Sequence, residues 1–311
     1  MPVDAAAFAG VPSVTALKPL PHAHVLLAAA MDRRVVSCNL AARPAATAIP
    51  ATHLAWSHDN WVHDLDVHPD GARVATGGND RHIKIWKWGQ DRPLFAFKAH
   101  GDSVRVVAFS RDGRLLASAG DDCLVRLWDA ATASPLATLD AGGSFLDVLA
   151  WSADSKRLFS SGNDGRIVAW DVERRMLDRF LDIDNRRDIE DEPLNGGFSY
   201  PGGVRGMTCS PDGKLLAAVG LKSLNVLDTA SGKEVLRQDG RGFGVAFDPT
   251  GRYLAWSQEN AILVWDFRES RVSHRLNVNQ LGLFDICFLD GGKQLASGGC
   301  NGQVGIWDLT V

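Results

Sequence analysis

Two groups of side chains in this 311-residue sequence could in principle do nucleophilic chemistry. One is His58, Thr76 and Asp80; the other is His100, Ser118 and Asp122. A hydroxyl beside a histidine that is oriented by a carboxylate is the apparatus of acyl transfer. Their spacing points elsewhere. In both groups the hydroxyl lies ten residues, and the carboxylate six, before a tryptophan, Trp86 or Trp128. Polar groups repeated at fixed offsets fit a network embedded in a fold, and such networks shift ionisation without catalysing anything. A second pattern is His53, His58, His63 and His68, one every five residues. On a strand an odd step alternates faces, so these rings cannot converge on one metal. His22 and His24 share a face but lack a third ligand. No glycine loop opens a helix to cradle phosphate, because hardly any helix is expected. The sequence therefore predicts no catalytic residue, no metal and no cofactor.

The elements that must position these side chains are short strands. Residues 99–129, AHGDSVRVVAFSRDGRLLASAGDDCLVRLWD, read as three of them. Residues 104–110 are apolar and β-branched, and Arg111-Asp112-Gly113 supplies a tight turn. Residues 115–119 and 124–128 follow, separated by Gly120-Asp121-Asp122. A unit this small cannot bury both faces of its sheet, so it must stack on copies of itself.

The copies are visible in the spacing. Trp86, Trp128 and Trp170 are 42 residues apart, as are Trp265 and Trp307; Leu227 and Cys38 fill the remaining slots. Seven slots result, and Trp-Asp closes the units at 128, 170, 265 and 307. Over essentially its whole length the chain resembles the WD40-repeat family. The resemblance implies an all-β, seven-bladed propeller of four-stranded antiparallel blades, at about 13–50, 59–100, 101–142, 143–183, 203–239, 240–278 and 279–311. Six blades is the alternative, since the first blade (strands at 14–17, 25–30, 34–39 and 45–49) has no tryptophan. The last unit stops without a fourth strand, and residues 2–8 are one isolated strand. The family closes its ring by pairing such ends, which buries two strand edges.

The resemblance also gives the polar groups a role. In this family a buried chain runs from the tryptophan ring N–H to Ser or Thr, then His, then Asp. Blade two matches with Trp86, Thr76, His58 and Asp80, and blade three with Trp128, Ser118, His100 and Asp122. Blade four keeps Trp170, Ser160 and Asp164, with Gly142 in the histidine slot. Blade seven keeps Trp307 and Ser297, with Asn301 and Asn279 in the other two. By the same offsets blades five (Leu221, Ala217) and six (Glu259, Ala255) have lost the network.

Composition is ordinary for a globular protein, with 45% apolar and 23% charged residues. A net charge of −4 offers no field for nucleic acid or an anionic membrane. The first residues lack a secretory leader, no run reaches transmembrane length, and five scattered cysteines suit a reducing cytoplasm. The one insertion, 184–202, carries five acids and two arginines, then Phe198 and Tyr200. It reads as a solvated loop, or as a lid or partner arm anchored by those aromatics.

Partners of WD40 propellers usually dock on the top face. They meet the residues flanking the start of each innermost strand and the residue before the network Asp. Carried over by position, these are Trp61, His63 and Asn79; Ser103, Arg105 and Asp121; Phe145, Asp147 and Asn163; then Arg205, Phe243 and Phe284. Aromatic and arginine anchors are favoured at interface hot spots. The expectation is a non-catalytic scaffold, monomeric on its own, that binds a protein or peptide partner. The alternative is a reader of a small molecule or an acidic or phosphorylated peptide at the channel mouth, with Arg105 and Arg205 as the clamp. An enzyme is the third class, with mainly Asp147, Asp285 and His63 as candidates near the axis and no recognised grouping among them.

Overall fold

A computed structural model describes residues 6–7, 13–21, 23–40, 51–140, 142, 144–181, 183, 203–278 and 282–309. Strands form where apolar and β-branched residues run for six or seven positions between turn residues. They assemble into seven four-stranded antiparallel sheets. In each of the first six the chain runs straight outward, from an innermost strand to an outermost one. The innermost strands are Val14–Leu20, Val62–Val67, Val104–Phe109, Leu146–Trp151, Val204–Cys209 and Val245–Phe247. The seventh sheet begins with Leu283–Leu289, and its fourth strand is Ala6–Ala7, which pairs with Val304 and Gln303. The innermost strands neighbour one another in order, and Val14–Leu20 adjoins Leu283–Leu289, so the circle closes. A single 3₁₀ turn, Asp290–Gly292, is the only helical element among the described residues.

The core lies between blades rather than within them. Among the described residues there are seven apolar clusters, each shared by two neighbours. Second strands are buried on both faces and read small and apolar, as in Leu115–Gly120 and Arg157–Gly162. Outermost strands, such as Glu234–Asp239, alternate because only one face is covered.

Two expectations change. The first sheet's fourth strand is Ala51–Ser57, not 45–49, which lies outside the described residues. In blades five and six the turn between second and third strands has two residues (221–222 and 259–260), where blade two has three (79–81). Counting back from Leu227 and Trp265 therefore slips by one. Leu216 pairs with Leu227 as Leu116 pairs with Trp128, which puts Ala218, not Ala217, in the hydroxyl position. In blade six Leu254 pairs with Trp265, so Trp256, not Ala255, stands there.

Candidate interaction face and channel mouth

Six of the seven innermost strands shift register at their second residue, for example between Val104 and Val106. A bulge leaves one residue out of the ladder and re-aims its side chain. The bulged residues are Thr15, His63, Arg105, Asp147, Arg205 and Phe284, and Phe243 holds the corresponding place in blade six. All seven line one cavity of about 1020 Å³ at the channel mouth. Glycine makes the bulge possible. A Cβ on Gly120 would lie 1.9 Å from the Ser103 carbonyl oxygen, and one on Gly162 would lie 1.8 Å from that of Phe145.

The ring is charged on one side and apolar on the other. Arg105 Nε donates to Asp121 Oδ1 at 2.8 Å, and Arg205 Nη1 to Asp147 Oδ2 at 2.7 Å. Burial raises the Asp147 carboxyl against the pull of Arg205 and Arg105. Burial, and then the Arg105 charge, push the His63 imidazole down to about 4, so it is neutral at pH 7. Among the described residues its buried Nε2 meets no hydrogen-bond partner, and neither does the Ser13 hydroxyl on the same cavity wall. Across the mouth Phe243 and Phe284 meet edge to face at 5.9 Å.

Of the expected contact residues, Trp61 (38%) and Phe145 (48%) are exposed. Ser103 is buried, its hydroxyl donating to Asn79 Oδ1 at 2.6 Å. Asn163 Oδ1 is buried without a partner among the described residues, and Asp121 is held by Arg105. Phe198 and Tyr200 lie outside the described residues. Sequence reading missed Thr15, Ser13 and Arg241 on the cavity wall. Arg241 precedes Phe243 by two residues, as Trp61 precedes His63, and that spacing was available to find it. Leu221 and Glu259 also line the cavity; the Glu259 amide bonds the Arg241 carbonyl as the Asn79 amide bonds that of Trp61.

The His–hydroxyl–Asp groups sit elsewhere, inside the blades. Trp86 Nε1 donates to Thr76 Oγ1 (2.9 Å), which lies 2.7 Å from His58 Nε2, and His58 Nδ1 lies 2.9 Å from Asp80 Oδ2. In blade three the distances are 2.9 Å from Trp128 Nε1 to Ser118 Oγ, 2.7 Å from Ser118 to His100 Nε2 and 2.8 Å from His100 Nδ1 to Asp122 Oδ1. Each hydroxyl accepts from its tryptophan and lies against Nε2 of its histidine, whose Nδ1 lies against the carboxylate, so every polar atom of the chain has a neighbour to bond. Burial opposes it, but His58 and the backbone amides hold Asp80 down to about 2. Thr76 and Ser118 are fully buried, so neither hydroxyl meets a substrate. Blade four keeps the Trp170–Ser160 bond at 2.8 Å, while Asp164 Oδ1 accepts only the Arg166 amide among the bonds described. Blade seven keeps Trp307–Ser297 at 3.2 Å, and Asn279 lies outside the described residues.

The WD40 family model (WD domain, G-beta repeat) matches residues 52–87, 91–129, 133–171 and 271–308. With those repeats inside a closed ring of seven four-stranded blades, the chain belongs to the WD40-repeat propeller family. Propellers of this family generally serve as protein-interaction scaffolds. No curated protein matches the sequence.

Proposed function

We propose that the protein is a non-catalytic scaffold that binds a protein or peptide partner on the face carrying the channel mouth. The observation that supports this reading most is the cavity of about 1020 Å³, rimmed by a re-aimed side chain from every blade and flanked by exposed Trp61 and Phe145. Large exposed aromatics at the lip of a concavity are the anchors that partners desolvate. The scattered cysteines favour a reducing cytoplasm as the place where it works.

A reading in which Arg105 and Arg205 themselves clamp an acidic peptide is less favoured. Both guanidiniums already pair with half-buried carboxylates, and a ligand would have to displace them. The test is affinity capture from native extract with wild-type bait and a Trp61→Ala/Phe145→Ala double variant of unchanged melting temperature. Loss of most captured protein with the variant is expected. Equal capture by both baits refutes the docking face.

A further inference from the structure

Resting on that docking reading, we propose that the mouth recognises an anionic group carried beside an apolar side chain on a peptide. Arg241 receives the anion, and the Phe243–Phe284 sector receives the apolar group. Arg241 is exposed and lines the cavity, and no carboxylate among the described residues pairs with it. Its guanidinium lies over the Phe243 ring, 5.3 Å from the centroid. Stacking occupies the flat face of a guanidinium and leaves its N–H fork in plane, ready for bidentate bonds to a carboxylate or phosphate. With Arg105 and Arg205 neutralised by aspartates, Arg241 gives this wall a local preference for one negative group.

The platform under Arg241 is fixed. Blade six has an innermost strand of only three residues, Val245–Phe247, and the chain ahead of it is held by other means. The amides of Phe243 and Gly244 both donate to Ser257 Oγ, at 2.9 and 3.0 Å. The Gly242 amide bonds the Gly220 carbonyl of blade five at 2.9 Å. A Cβ on Gly242 would lie 2.1 Å from the Ser257 carbonyl oxygen, so only glycine allows this close approach of the two chains. Phe243 is thus presented by backbone bonds to two blades, and Phe284 and Leu283 extend the apolar wall. Ser13 Oγ and His63 Nε2, buried and without a partner among the described residues, are the atoms a bound peptide group would complete. A neutral imidazole there suits an uncharged amide.

The test uses the full chain and fluorescence anisotropy with short, end-blocked, labelled peptides on a Gly-Ser background. They carry Phe-Asp, Phe-phosphoserine, Phe-Asn or Gly-Asp at the centre. At least one of the Phe-anion peptides is expected to bind roughly tenfold tighter than Phe-Asn, which is about 1.4 kcal/mol. The tighter of the two says whether a carboxylate or a phosphate is preferred. Gly-Asp should bind weakly. Arg241→Gln, at an exposed site, should abolish the anion preference, bringing the ratio of Phe-anion to Phe-Asn affinity to about one, and Arg241→Lys should restore part of it. Equal binding of Phe-Asn and both anionic peptides overturns the proposal, as does no binding of any peptide or a preference that survives Arg241→Gln. Capture that is lost in the Trp61/Phe145 variant with no anion preference leaves the docking face standing and this inference overturned. An Arg241-dependent preference with unaffected capture does the reverse.

Discussion

At the scale of single residues, polar atoms inside this protein act by being fully used. Ser118 Oγ is the hinge of the blade-three network: it accepts the hydrogen bond of the Trp128 ring N–H and bonds His100 Nε2, and Asp122 then fixes the other ring nitrogen. Arg126 completes the chain by donating to Asp122 Oδ2 at 2.7 Å. Replacing Ser118 by alanine leaves a buried indole N–H and a buried imidazole nitrogen unsatisfied. The expected loss is about 1–3 kcal/mol by urea unfolding, since each orphaned group carries its desolvation penalty. A change below a few tenths of a kcal/mol would show that the network is dispensable. The residues that resemble a catalytic triad are thus spent inside the blade, while the re-aimed residues of the ring line the cavity at the channel mouth.

At the scale of elements, the bulge at the head of six of the seven innermost strands couples fold to surface. The same local irregularity that re-aims Asp147 also presses the Phe145 carbonyl against Gly162. Gly162→Ala would put a methyl carbon where that oxygen is, so the rim must shift. We expect a loss of about 2–3 kcal/mol, in the upper range for overpacking, read as a lower melting temperature. Partner capture through the adjacent Phe145 should weaken in parallel. An alanine variant with wild-type stability would mean that the bulge is softer than its contacts imply. Turn length is the other element-level determinant. Removing one residue between second and third strands in blades five and six takes away the network aspartate's place and leaves Leu221 and Glu259 on the cavity wall.

At the scale of the whole molecule, the ring is tied across blade boundaries near its axis. Asp64 and Asp66 of blade two accept the Val107 and Phe109 amides of blade three, at 3.0 and 2.8 Å. Asp285 of blade seven accepts the Leu17 amide of blade one at 2.8 Å. Lys18 stands among them, its Nζ 3.9 Å from Asp66 Oδ1. Burial lifts the Asp64 carboxyl to about 7 despite Lys18. A carboxyl whose folded value lies above its ordinary 3.8 binds its proton more tightly in the native state. Its contribution is complete below about 3.8 and is lost as pH rises through 7. Asp64→Asn keeps an acceptor for the Val107 amide without the charge. The variant should be more stable than wild type at pH 8, on the order of 1 kcal/mol, with the gap closing toward pH 4. Parallel stability profiles across that range would rule out Asp64 as the titrating group.

The repeat alone determined the architecture. A tryptophan slot recurring near 42 residues with small, apolar second strands cannot bury itself singly, and stacking identical wedges into a closed ring is the arrangement that does. Six of the seven side chains at the mouth were legible too, because a fixed offset from each turn carries the bulge position with it. What only the tertiary structure decided depends on distance across the ring. It paired Arg105 with Asp121 and Arg205 with Asp147, left Arg241 stacked on Phe243, and moved the slots of blades five and six by one residue. Charge pairing, within one blade for Arg105 and Asp121 and between two for Arg205 and Asp147, and the length of a turn against its neighbours are relations in space. A linear period constrains where each residue sits in its own blade, and it is silent about which residue of the next blade stands opposite.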